Sequence, residues 1–260
     1  MSGRKRHSGS RAGSRSPAKP TEQLAFDLAL EPRFGAEDFL VSASNEQAYG
    51  LIEAWPNWPD QIVTLIGQQG SGKSHLAAIW ATNAHAWTLD AAQVSMERVP
   101  YLLSNRALVI EDIDRGARDD AALFHLLNLA REQKAFVLIT ASSPPSSWSI
   151  ATADLLSRLR LAPSVVIDPP DDALLKAVLV KLFVDRQLVV DTQVVDSLAL
   201  RIDRSLAMAG DVVAALDRAA LQRGRRITRH LAMQVVEEID TMRDEAEQQD
   251  ADSTGGTAES

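Results

Sequence analysis

Between residues 60 and 168, short apolar runs alternate with segments whose apolar residues recur every three or four positions. Gln61–Ile66, His85–Leu89, Ala107–Ile110, Ala135–Thr140 and Ser164–Ile167 read as five strands. Their near-continuous apolar character is what a parallel sheet covered on both faces requires, because neither side of such a strand meets water. Ahead of them, Ser42 stands as a candidate cap for a helix over Asn45–Trp55, which Pro56 and Pro59 stop. Helices are also expected from Lys73 to about Thr82, in a short stretch before Pro100, and over Asp119–Gln133. In the last of these Leu123, Leu126, Leu127 and Ala130 form an apolar stripe. Helical turns over Ala153–Leu159 precede the fifth strand.

Past Asp168-Pro169-Pro170-Asp171 the pattern changes to helical periodicity alone, near 171–186, 191–201 and 205–223 and from Thr228 to about Asp240. The chain therefore reads as an α/β sheet-containing base over 41–168 followed by a small all-helical lid over 169–240. In such an arrangement the active site lies in the crevice at the strand ends.

Composition adds limits. There is no cysteine, which excludes disulfides, thiolate metal sites and thiol nucleophiles. No apolar run reaches the length of a membrane span, about 18 residues, and no secretory signal opens the chain, so a cytoplasmic location without a membrane partner is expected by elimination. The net charge of −8 argues against broad nucleic-acid binding, but it is unevenly spread. Residues 1–20 hold six Arg or Lys and no acid, and residues 237–260 hold nine acids against one Arg. Neither end carries enough apolar surface to offset chain entropy, so a disordered basic tail over 1–21 and a disordered acidic tail over 241–260 are expected. The basic tail is read as solvated, with electrostatic contact to DNA as the other reading.

Gly67-Gln68-Gln69-Gly70-Ser71-Gly72-Lys73-Ser74 fits the phosphate-binding pattern at every fixed position, after an apolar strand and before a helix. Small residues let successive amides face phosphate oxygens, and the helix N-terminus adds a favourable field. Lys73 then reaches the β- and γ-phosphates, and Ser74 ligates magnesium. At the end of the third strand, Glu111 is a candidate for the metal side, directly or through water, and Asp112 for the base that orients an attacking water. Acids after a strand also serve as helix caps. Thr140 and Ser142, at the end of the fourth strand, are candidates to bond the γ-phosphate or the water, or are turn hydroxyls. Arg158 could act in trans on a nucleotide held by a neighbouring molecule, or lie on the surface capping its helix. His75 falls in the first turn after the loop, at the margin of the nucleotide site, where local packing is the simpler role. Trp55, Trp58 and Trp80 read as packing residues.

Gly67–Leu76, Leu108–Asp114, Val137–Ser143, Leu156-Ser157-Arg158-Leu159 and the Asp168-Pro169-Pro170 boundary together resemble the ATPase region of bacterial replication initiators, the DnaA branch of AAA+ proteins. The resemblance spans about residues 21–240. It implies an AAA+ P-loop base with a helical lid, ADP or ATP with Mg2+ as cofactors, and a possible homo-oligomer. Within that branch the pattern is most similar to the Hda-like regulators that inactivate the initiator. The chain ends soon after the lid, only 37 residues separate Lys73 from Glu111, and Gln23-Leu24-Ala25-Phe26-Asp27-Leu28 resembles a sliding-clamp-binding peptide. In that peptide Gln23 offers a polar anchor and Leu24, Phe26 and Leu28 apolar ones, with Asp27 between them; on spacing alone it could equally be a strand packed on the protein. The resemblance implies a replisome-associated negative regulator that docks on the DNA-loaded clamp and meets the replication initiator ATPase. It would stimulate hydrolysis of the initiator's ATP through Arg158 and contact DNA mainly through the clamp. A stand-alone ATPase or loader, a clamp–initiator adaptor without hydrolytic effect, and a DNA-binding initiation factor are the competing readings. Family members place an Arg at the start of a lid helix to sense the phosphates. Here only Arg204 falls near that point, which leaves intrinsic turnover open.

Overall fold

The computed structural model describes residues 35–223 and 226–255. The basic tail and the clamp-peptide residues Gln23, Leu24, Phe26, Asp27 and Leu28 lie outside them. Along the chain come α1 (Glu46–Glu53), β1 (Ile62–Gly67), α2 (Lys73–Ala84), β2 (Trp87–Asp90), α3 (Val99–Leu102), β3 (Ala107–Glu111), α4 (Asp120–Gln133), β4 (Phe136–Ala141), α5 (Ala153–Leu161) and β5 (Ser164–Ile167). The five strands form one sheet in the order β2-β3-β4-β1-β5, and every pairing is parallel.

Strand alternation splits the base core in two. Leu108, Ile110, Val137 and Ile139 face one layer with α4 and α5; Val63, Leu65, Val109 and Leu138 face the other with α1 and α2. On that second side Trp58 stacks on the fully buried Trp80 at 4.9 Å, with Trp55 edge-on at 6.4 Å, so the tryptophans are packing residues. Both faces of the central strands β3, β4 and β1 are largely apolar, which explains why the sheet was legible as runs rather than as alternation.

The lid comprises α6 (Asp172–Asp185), α7 (Thr192–Arg201), α8 (Leu206–Arg223) and α9 (Arg229–Gly255), around a core of its own that includes Leu175, Phe183, Leu198 and Val212. Side chains cap the starts of these helices: Asp171 accepts from the Leu174 amide at 2.7 Å, Asp191 from Gln193 at 2.9 Å and Ser205 from Met208 at 3.3 Å. No described helix is long and apolar enough to cross a membrane.

Three local expectations differ from the structure. Ser42 does not cap α1; Asn45 is the N-cap residue, and its side chain is tied down by accepting from the Ser42 amide at 2.8 Å and donating to the Leu40 carbonyl at 3.0 Å. His85 is not in a strand, because it closes α2 in a left-handed conformation and β2 starts at Trp87. The last helix does not stop near Asp240. Its Glu-, Gln- and Ala-rich continuation has good helix propensity, and Arg243 anchors it by donating to Asp203 at 3.1 Å.

Candidate functional site

The loop after β1 turns sharply because Gly70 and Gly72 adopt left-handed angles, with φ of 76° and 102°. Lys73 opens α2, is 5% exposed, and donates its ammonium to the carbonyls of Gly67 at 2.7 Å and Gln68 at 3.1 Å. Burial pulls its pKa down from the ordinary lysine value, partly offset by the carboxylates of Asp112, Asp114 and Glu111. The Ser71 hydroxyl is buried with no hydrogen-bond partner among the described residues.

Glu111 stands across from the loop at the end of β3. Its Oε2 accepts from Ser74 Oγ at 3.2 Å and from Thr140 Oγ1 at 2.7 Å. Burial raises its pKa, and those two hydrogen bonds act against the rise. Thr140 is wholly buried on β4, and its oxygen also accepts from the Asp112 amide at 2.9 Å. Its hydroxyl proton is thus committed to Glu111. Thr140 positions the two acids instead of presenting a donor to phosphate, a departure from the role its place on the strand suggests. Ser142 keeps that possibility: its Oγ is buried and unpartnered among the described residues.

Asp112 itself lies at φ 45°, in the left-handed region, and begins a turn closed by the Arg115 amide on the Asp112 carbonyl at 2.9 Å. Asp114, which the sequence reading gave no role, clamps the chain after β4 by accepting from the amides of Ser142 and Ser143 and from the Ser143 hydroxyl, all within 2.8–3.0 Å. An acid alternating with Asp112 after a strand was the available signal; its target, 28 residues downstream, was not visible. Arg118 binds the same region through Asp120 at 2.9 Å, the Ile113 carbonyl at 3.3 Å and the Ser149 carbonyl.

The lid closes directly on the loop. The Leu206 amide, first in α8, donates to the Gly70 carbonyl at 2.8 Å, and a Cβ at Gly70 would come within 2.1 Å of Ser205 Oγ. Beside this contact lies a crevice of about 580 Å³ bordered by Gln68, Gln69, Arg204, Ser205, Asp211 and Arg243. Arg204 is on its wall, but its guanidinium is turned onto Asp172 at 2.8 Å rather than towards Lys73. His75 also faces away from chemistry. Its Nε2 meets the Gly35 carbonyl at 3.0 Å, its ring stands edge-on to Phe39 at 5.2 Å, and burial lowers its pKa. Arg158, on α5, lies with its guanidinium carbon 5.9 Å from the centre of the Phe124 ring.

The donor set fits a nucleoside polyphosphate with magnesium. The loop wraps the desolvated Lys73 ammonium, and Ser74 and Glu111 meet at the end of β3. No cluster of three metal-ligating side chains exists among the described residues. Magnesium does not require one, since it is commonly held by one or two protein oxygens together with phosphates and water.

A P-loop base with a parallel sheet, followed by a helical lid, is the AAA+ architecture, and the chain has that fold. That fold is related to that of the DnaA family. The chromosomal replication initiator protein DnaA of Caulobacter vibrioides is 27% identical over 184 residues, covering 58% of this chain and 36% of the relative. The chain thus matches about a third of the length of these curated relatives. Domain III of the Thermotoga maritima replication initiation protein DnaA superposes with a TM-score of 0.68 at 18% identity, covering 80% of this chain and 97% of that one. The Thermotoga maritima RuvB Holliday junction branch migration motor superposes with a TM-score of 0.64 at 16% identity, covering 79% and 72%. No family model matches the chain.

Proposed function

We propose that this protein binds ADP or ATP with Mg2+ and acts as a negative regulator of replication initiation, stimulating hydrolysis of ATP held by a partner initiator. The nucleotide reading is supported by the meeting of Ser74, Glu111 and Thr140 beside the buried Lys73. When bound, the magnesium nucleotide supplies a polarised phosphoryl group. The chain holds it with Lys73 and the loop amides, orients the metal side with Ser74 and Glu111, and keeps Asp112 and Ser142 Oγ at the strand ends for a water.

The trans role rests chiefly on Arg158. Among the described residues it has no acid within ion-pair distance, and the Phe124 ring orients it. An unneutralised, half-buried guanidinium held by an aromatic face suits stabilisation of charge that develops on another molecule's phosphates. Gln23, Leu24, Phe26, Asp27 and Leu28 would dock on the DNA-loaded sliding clamp and bring the two ATPases together.

The test is conversion of initiator-bound ATP to ADP in the presence of DNA-loaded clamp. The native protein should stimulate it, Arg158→Ala should lose at least about tenfold of the stimulation, and a combined Gln23/Leu24/Phe26 alanine variant should lose the dependence on clamp. Full stimulation by Arg158→Ala would refute the trans role and favour an adaptor. Turnover by the isolated protein, without effect on the initiator, would favour a stand-alone ATPase.

A further inference from the structure

The turn that follows β3 sends four consecutive residues to four different places. Asp112 stays at the strand end beside Thr140, and Ile113 is fully buried in the core layer under α4. Asp114 reaches the amides after β4. Arg115 returns to the phosphate loop: its Nη2 donates to Gln69 Oε1 at 3.3 Å, and its Nη1 lies 3.9 Å from Asp112 Oδ2. Because the Asp112 amide is held by Thr140, the Ile113 and Asp114 side chains are anchored, and the Arg115 amide closes the turn on the Asp112 carbonyl, the backbone that carries Arg115 is set by the fold.

Charge distinguishes Arg115 from the other arginines near the loop. Arg204 and Arg243, which border the crevice from the lid, are each paired with an aspartate, Asp172 at 2.8 Å and Asp203 at 3.1 Å. Arg115 instead bonds a neutral amide and stands off Asp112 at a distance longer than a hydrogen bond, so most of its five N–H donors stay available. It is close enough to the buried Lys73 for its charge to add to the lowering of that lysine's pKa.

We propose that Arg115 is a second cationic contact for the terminal phosphoryl group of a bound nucleoside triphosphate, so that this chain reads the γ-phosphate from its base and not from its lid. The inference rests on the nucleotide reading above. A γ-phosphate between Gln69 and Asp112 offers Arg115 a dianionic, fork-matching partner in place of a neutral amide and a distant carboxylate. As Arg115 turns to it, Asp112 loses its nearest cation and is left to the water. A diphosphate offers no group at that place, so it leaves Arg115 on Gln69. The lid arginines, held by Asp172 and Asp203, stay out of the exchange.

The experiment is fluorescence titration of the full chain, with magnesium, by the mant derivatives of ADP and of the non-hydrolysable triphosphate AMPPCP. Arg115→Ala should weaken AMPPCP about tenfold, as expected for a charge-assisted contact, and change ADP by less than about twofold. Arg115→Lys, which keeps the charge but not the fork, should fall between. Equal weakening of both nucleotides would mark Arg115 as a support of the loop and overturn the proposal. Unchanged AMPPCP affinity would overturn it as well, as would a native protein that binds only ADP; in both cases the nucleotide reading stands. A native protein that binds neither nucleotide would remove that reading and this inference together.

Discussion

Thr140 joins the two acids of the site, and its hydroxyl can be removed almost without changing shape. Thr140→Val keeps the β-branch and the volume in a wholly buried strand position. It abolishes the 2.7 Å bond donated to Glu111 and the 2.9 Å bond accepted from the Asp112 amide. The first is charge-assisted, at about 1.5–3 kcal/mol, and leaving the second donor unpaired costs about 1–3 kcal/mol. Glu111 keeps Ser74 as a donor, which favours the low end, so a loss of roughly 3 kcal/mol is expected. Urea denaturation should then show a midpoint lower by about 1 M or more with an unchanged slope.

The loss should also depend on pH. Burial already raises the Glu111 pKa, and the Thr140 bond opposes that rise, so the valine raises it further. A carboxyl whose native pKa exceeds its unfolded one binds a proton in the native state that the unfolded chain has released. Stability therefore falls as pH rises from the ordinary carboxylate range towards the native value. The deficit of Thr140→Val should be greater at neutral pH than in mild acid, and Thr140→Ser should restore most of the stability. A valine variant within about 0.5 kcal/mol of the native protein, with the same pH profile, would refute the hydrogen-bond account.

Three further outcomes follow from the same geometry. Glu111→Gln, which removes a buried charge while keeping an acceptor for Thr140, should stabilise the nucleotide-free protein by about 0.5–2 kcal/mol at neutral pH and flatten the acid-side dependence, while weakening magnesium-dependent nucleotide binding; a less stable variant in urea would contradict this. Lys73 has the opposite sign: its native pKa is lowered, so stability should rise as pH rises between that value and the ordinary lysine range, and Lys73→Met should abolish that limb in an alkaline series of melts. Gly70→Ala combines a φ of 76° with a methyl 2.1 Å from Ser205 Oγ, so the start of α8 should lift from the loop. Hydrogen exchange reads this at the Leu206 amide, which should lose protection while the β4 amides keep theirs, and an unchanged Leu206 would count against direct lid–loop coupling.

The base-and-lid division, the five strands of a parallel sheet and the loop from Gly67 to Ser74 were legible in the amino-acid order alone. Each of these rests on a local rule: apolar runs for strands buried on both faces, helical spacing beyond Pro170, and small residues where the chain must turn around an anion. Local rules also placed Glu111 at the mouth of the loop, because a residue ending a strand next to the phosphate-loop strand or one removed from it must emerge at the same edge of a parallel sheet. The partner that each polar group takes emerges only on packing. Thr140 is spent on Glu111 and Asp112, Arg204 is drawn to Asp172, and Arg115 returns to Gln69, a residue 46 positions earlier. A hydrogen bond or an ion pair depends on distances of a few tenths of an ångström between segments far apart in the chain. Periodicity and composition carry no information at that scale, and β3, β4 and α8 acquire it only when the sheet and the lid have packed.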